Sequence, residues 1–295
     1  MLKNPSHGTI QLKDYQAPQF ELQHCALSFD LDPLQTRVTA EYQIQSLSDD
    51  RTLILDGESL ELLSIEIDSV ILSAQQYQLD EKTLSIPDVP DSFTLRLQTL
   101  TRPADNTSLN GLYQSADMLC TQCEAQGFRR ITYAMDRPDV LTTYTVTLNA
   151  DKARYPVLLS NGNLIEEGGD ADRHYAVWDD PFPKPTYLFA LVAGELSRHS
   201  DQFTTRSGRV VDLHVLTRAD DAGKTGHAMA SLQRAMRWDE QAFDREYDLD
   251  IYHIVAVGDF NMGAMENKSL NIFNTKYVLA RSEIATDQDY HAIEG

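Results

Sequence analysis

Cysteine is scarce in this 295-residue chain: Cys25, Cys120 and Cys123 are too few, and odd in number, for a disulfide framework. Reduced thiols are the simplest reading. Long apolar runs are missing too. No stretch approaches the ~18 residues that a membrane span needs, and Met1 to Gly8 has no apolar signal region, so no membrane insertion and a cytoplasmic location are expected. Basic residues are the minority charge, 25 against 45 acidic for a formal net charge of −20. No basic block could track a phosphate backbone, which excludes nucleic acid as a partner and leaves the acidity as a solvated surface. No two of the eight histidines, at 7, 24, 174, 199, 214, 227, 253 and 291, stand four apart, so no helix face can present the pair that a zinc ion requires. Repeats and low-complexity tracts are absent.

What is present suits a globular protein. Hydrophobic residues make up 42% of the chain, and its length suits two domains of roughly 150 residues each. From Phe20 to Leu100 the pattern alternates with period two, as in His24, Ala26, Ser28 and Asp30 against Cys25, Leu27, Phe29 and Leu31. That implies strands with one buried face and antiparallel neighbours. Strands resume around Thr143 to Leu148, Val157 to Ser160 and Tyr175 to Trp178, with Asn161-Gly162 expected as a hairpin turn. Tyr187 to Ala193 reads as a strand buried on both faces. A change of character after it places a domain boundary near Glu195.

Between Ala222 and Tyr247 the spacing turns helical. Met229, Leu232, Met236 and Phe243, with Ala228, Ala235 and Trp238, form the expected apolar side of a helix packed on a sheet. The apolar run Ile251 to Val257 reads as a buried strand, Leu270 to Phe273 as another that Tyr277 to Ala280 could continue, and Asp287 to Gly295 as a helix start.

Between those two strands lies Val257-Gly258-Asp259-Phe260-Asn261-Met262-Gly263-Ala264-Met265-Glu266-Asn267. Small residues there let a ligand approach the main chain, and a carboxylate can hold a cationic group such as a peptide's amino end. Plain turn chemistry is the other reading of the same glycines. Cys120-Thr121-Gln122-Cys123 is a lone C-x-x-C without a second ligand pair or a thioredoxin-like setting. Asp136-Arg137-Pro138-Asp139 is read as structural, a turn fixed by local hydrogen bonds and an ion pair.

Gly263 to Asn267 spells G-A-M-E-N, and with its flanks Phe260-Asn261-Met262 and Lys268 to Asn274 it resembles the zinc-dependent aminopeptidases of the aminopeptidase N family, in their bacterial alanyl branch. Cys120 to Glu124, Asp136 to Leu141 and Asp180 to Pro185 extend the resemblance over most of the chain. It implies an all-β, saddle-like antiparallel sandwich over 1–195, then the first α/β part of a thermolysin-like catalytic domain over 196–295. The resemblance implies a substrate site made by Gln122, Glu124, Met262, Gly263, Ala264, Met265, Glu266 and Asn267. In it Glu124 and Glu266 grip the α-ammonium of a peptide with a free N-terminus, and Met262 lines the side-chain pocket. It also implies zinc on an H-E-x-x-H helix, a motif this sequence lacks. The expectation is therefore an amino-terminal portion that binds no zinc, holds no catalytic residue and does not cleave peptides without the remainder of its catalytic domain. Two other readings stay open: a non-catalytic β-rich module that binds peptide N-termini, and a glycosidase with Glu124 and Glu266 as acid and base.

Overall fold

Alternating apolar residues organise the first half of the chain in the computed structural model, which describes residues 11–295. The reading of Met1 to Gly8 falls outside those residues. Strands β1 (Phe20–Asp30) and β2 (Thr36–Ser46) pair as long neighbours. After them come β3 (Leu53–Asp56), β4 (Glu61–Ile67), β5 (Val70–Ile71), β6 (Gln78–Leu79), β7 (Thr83–Ile86) and β8 (Ser92–Thr101). Next are β9 (Gly111–Ser115), β10 (Met118–Gln122), β11 (Thr142–Asp151), β12 (Val157–Ser160), β13 (Asn163–Gly169), β14 (Arg173–Lys184) and β15 (Leu191–Gly194).

These fifteen strands form three sheets. The largest runs β13-β14-β11-β1-β2-β8-β4-β5, a second runs β12-β15-β10-β9, and β3-β7-β6 is a small third. The expected antiparallel neighbours hold with one exception. β1 and β11 pair parallel, His24 opposite Thr143, because β11 arrives from a distant part of the chain and not from a hairpin.

Asn161-Gly162 corrects the expected hairpin. β12 belongs to the four-stranded sheet and β13 to the eight-stranded one, so the dipeptide carries the chain from one sheet to the other. Gly162 sits at φ +94°, and a Cβ there would lie 2.0 Å from the Asp179 carbonyl oxygen. Tyr187 to Ala193 is likewise only half a strand. Thr186–Leu188 forms a 3-10 turn after Pro185, and the strand starts at Leu191, buried on both faces as expected.

The rest of the chain builds a mixed sheet with helices: β16 (Ser197–Thr204), β17 (Val210–Thr217), α1 (Gly226–Ala242), β18 (Ile251–Val257), β19 (Ala264–Met265), β20 (Leu270–Asn274) and α2 (Asp287–Glu294). Its order is β16-β17-β18-β20-β19. β17 and β18 pair parallel through α1, the usual solution for a parallel crossover, and β20 joins β18 in parallel. Tyr277 to Ala280 does not continue β20, since the chain turns into a 3-10 segment at Thr275–Tyr277.

β18 is apolar on both faces for a visible reason. Ile254 and Ala256 pack with Met229, Leu232 and Met236 of α1, whereas Val255 and Val257 join the core of the N-terminal sheets. That core is continuous: Phe189 packs on Phe29 and Phe128, and the same cluster reaches Leu216, Met265, Leu270 and Ile272. The apolar side of α1 is narrower than its sequence suggests. Ala235, Trp238 and Phe243 are exposed, and the Trp238 and Phe243 rings meet edge to face at 5.0 Å. α2 starts with a capping box of Thr286 and Asp289 and leans on α1 through Arg234 and Glu294, 2.7 Å apart. No helix among the described residues is long and apolar enough to cross a membrane.

Candidate active-site edge

The G-A-M-E-N segment forms the outer edge of the mixed sheet. After β18 the chain loops through 258–263 and returns as the two-residue β19, antiparallel to β20. In such a ladder successive residues turn their main-chain groups toward and away from the partner strand. Asn274 N–H donates to the Gly263 carbonyl at 2.9 Å. Ala264 therefore directs its N–H and C=O outward, on the side of β19 that carries no strand among the described residues. Met262 (40% exposed), Gly263, Ala264 and Glu266 are open to solvent, while Met265 and Asn267 are buried.

Gln122 and Met265 come together across the two parts of the molecule. Gln122 ends β10 and is buried, and its Nε2 lies 3.8 Å from Met265 Sδ. Its Oε1 has no hydrogen-bond partner. Glu124 does not share an extended stretch with Gln122, since the strand ends at Gln122 and Glu124 lies in the turn that follows, half-buried. Glu124 and Glu266 thus lie two and one residues beyond the Gln122–Met265 contact. Neither forms an ion pair or a side-chain hydrogen bond with another described residue.

The segment is pinned at its far end as well. Asn267 Nδ2 donates to the Leu188 carbonyl at 2.9 Å, Asn161 Nδ2 to the Lys268 carbonyl at 2.9 Å, and Gly162 N–H to Ser269 Oγ at 2.6 Å. The sheet-switching dipeptide and the 3-10 turn before β15 thereby become the floor of the candidate site. The Tyr277 ring backs the loop, with Cε2 3.1 Å from where a Cβ on Gly263 would stand.

Sequence reasoning missed a second set of contacts at the near end. Tyr113 Oη donates to the Asp259 carbonyl and Ser115 Oγ to Asp259 Oδ2, both at 2.8 Å, and Asn261 Nδ2 donates to the Ser108 carbonyl at 3.0 Å. A polar Asp259 right after a buried strand was the one available signal. The Asp136 motif behaves as read. Arg137 Nη2 meets Asp139 at 2.7 Å in the turn, while buried Asp136 accepts from Arg129 Nε at 2.8 Å and Thr186 Oγ1 at 2.6 Å.

The described residues do not fit the zinc ion that the resemblance implies. No group of three or more His, Cys, Asp or Glu among them is placed to hold a metal. The cysteine pair is no substitute. Burial pushes the Cys120 thiol up to about 12 and raises Cys123 well above its usual value, so both stay protonated at neutral pH. His253, inside β18, is held down to about 3 by burial first, then by His214 and Arg198.

Comparisons with known proteins agree with this architecture. Residues 17–188 match the Peptidase M1 N-terminal domain and residues 227–295 the Peptidase family M1 domain. Aminopeptidase N of Caulobacter vibrioides is 50% identical over 295 residues, 99% of this chain and 34% of that protein. Aminopeptidase N of Escherichia coli is 52% identical over 283 residues, 95% of this chain and 32% of that protein. A crystal structure of Legionella pneumophila aminopeptidase A in complex with aspartic acid superposes with a TM-score of 0.92 at 34% identity, covering 97% of this chain and 34% of the other. The chain thus spans about a third of the length of the relatives it matches. With both M1 domain patterns present in order and a mainly β part leading into a mixed α/β part, the chain belongs to the M1 peptidase family.

Proposed function

We propose that this chain is the amine-recognising part of a zinc aminopeptidase, acting on peptides with a free N-terminus. The observation that carries the reading is the open edge of β19. Ala264 offers one outward N–H and one outward C=O, and the exposed Glu266 follows two residues later. A peptide main chain laid along that edge adds a strand. Its α-ammonium then reaches Glu266, and Glu124 closes from the β10 side. A cation held between two carboxylates forms charge-assisted hydrogen bonds to both, which selects a free amine. An acylated N-terminus supplies no such cation and forgoes the charge-assisted contact.

Met262 forms an adaptable wall for the first side chain. The ligands of the zinc ion that the resemblance implies are assigned to the two thirds of the relatives' sequence that this chain does not match. The 295 residues alone are therefore proposed to bind without cleaving, with the rest of the catalytic domain as their partner. A boundary near residue 195 is supported by the change of sheet between β15 and β16. A cytoplasmic site of action is supported by three free, buried cysteines.

Titration with L-alanine amide and with N-acetyl-L-alanine amide, followed by NMR, tests the reading. Shifts confined to Gly263–Asn267 and Gln122–Glu124 with the free amine alone are expected. Equal response to both ligands, or to neither, overturns it.

A further inference from the structure

The near end of the open β19 edge is exposed and rests on the loop before it. The strand is two residues long and bonded to β20 alone; its far end is held by buried Met265 and by Asn267, and its near end depends on the loop 258–263 that delivers it. That loop is tied at several points to one foreign element, the hairpin of β9 and β10. Tyr113 and Ser115 on β9 both bond to Asp259, one through its carbonyl and one through its carboxylate. Just before β9, the carbonyl of Ser108 accepts from Asn261. At the end of β10, Gln122 meets Met265. The hairpin therefore grips the segment on both sides of Gly263 and Ala264.

The hairpin is suited to the task. Its register sets Tyr113 opposite Cys120 and Gly111 opposite Gln122, and all five residues of β10 are buried. Tyr113 is fully buried, and that burial raises its phenol far above its ordinary value, so the hydroxyl remains a donor at any working pH. Because Glu124 follows β10 and Glu266 follows β19, displacement of the hairpin relative to the loop changes the spacing of the two carboxylates.

We propose that Tyr113 and Ser115 are positioning residues for the amine site. By holding Asp259 they fix the β19 edge against β10 and so set the distance between Glu124 and Glu266. The inference rests on the amine-binding reading above and adds the element that tunes it. A sub-ångström shift between two charge-binding groups is enough to weaken a ligand that must touch both.

The test uses the full 295-residue chain with L-alanine amide as the probe. The double variant Tyr113→Phe/Ser115→Ala removes both hydroxyls with little change in shape. Its affinity is expected to fall about tenfold, with amide-hydrogen protection lost at Asn274, whose N–H bonds Gly263, and kept at His253, whose N–H bonds Ser269. Ser115→Thr, which keeps a hydroxyl, is expected to retain most of the affinity. Tyr15→Phe, which removes an exposed bond to Asp139, is expected to leave it unchanged. Should the double variant fold poorly, Ser115→Ala alone carries the test with an expected loss of about threefold. Binding by the unsubstituted chain with unaltered affinity in the double variant, or in Ser115→Ala where the double variant folds poorly, overturns the inference alone. Failure of the unsubstituted chain to bind overturns the amine-site reading and the inference together.

Discussion

Gln122 Nε2 rests 3.8 Å from the sulfur of Met265, joining the end of β10 to the outer edge of a different sheet, 143 residues away. The contact is a weak one, and the Gln122 Oε1 is buried without a partner. Gln122→Met keeps the volume and removes the orphaned acceptor. Its thermal midpoint is expected within about 3 °C of the original, since an apolar isostere at an unsatisfied polar site is near neutral for stability. Affinity for L-alanine amide, read by NMR titration, is expected to fall as the polar lining is lost.

Glu266 is exposed and makes no ion pair with a described residue, so its role can be separated from folding. Glu266→Gln is expected to leave the denaturant midpoint unchanged while weakening free-amine ligands about 10- to 100-fold, as a charge-assisted contact becomes a neutral one. Calorimetric titration against L-alanine amide reads the effect. Discrimination against the acetylated ligand is expected to shrink with it.

Gly162→Ala places a methyl group where the Asp179 carbonyl already stands, on a backbone at φ +94°. Strain and overpacking together predict a loss of about 2–5 kcal/mol in urea unfolding. Since Gly162 also donates to Ser269, the amides of residues 267–270 are expected to lose exchange protection ahead of those in β1 and β2.

His253 makes stability depend on acid. Burial holds it near 3 in the fold against 6.5 when free, so it is neutral in the native state and protonates only on unfolding. The unfolded chain binds the extra proton between those values. Stability contributed above pH 6.5 is therefore lost progressively as pH falls toward 3, at about 1.4 kcal/mol per unit, or about 2 kcal/mol by pH 5. His253→Met is expected to flatten that part of the profile, measured as unfolding free energy from pH 7 to pH 4.5.

How far the sequence reaches is clear from individual residues. Period-two alternation places the long strands well, because a half-buried sheet leaves that pattern, and burial along Thr142–Asp151 alternates from residue to residue. Asn161-Gly162 misleads, because a left-handed glycine serves a change of sheet as well as a tight turn. Trp238 and Phe243 mislead because apolar spacing gives the width of a helix face but not how much of it the sheet covers. In the candidate site, G-A-M-E-N and Gln122-x-Glu124 are proposed through family resemblance. Tyr113, Ser115 and the Leu188 carbonyl are not legible in the sequence, since each meets its partner 79 to 146 residues away with no local pattern to announce it.

The parallel pairing of β1 with β11 bears on how the protein is made. β1 gains β2 as soon as that strand is synthesised, yet its other side must wait for a strand 119 residues downstream, as His24 meets Thr143. At ~5–20 residues per second on the ribosome, the largest sheet stays half-built for on the order of 10 s. During that interval β1 presents an unpaired row of main-chain groups, open to association with another chain. Chaperone demand and aggregation in the cell should therefore track the speed of translation between residues 30 and 150 more closely than the stability of the finished fold.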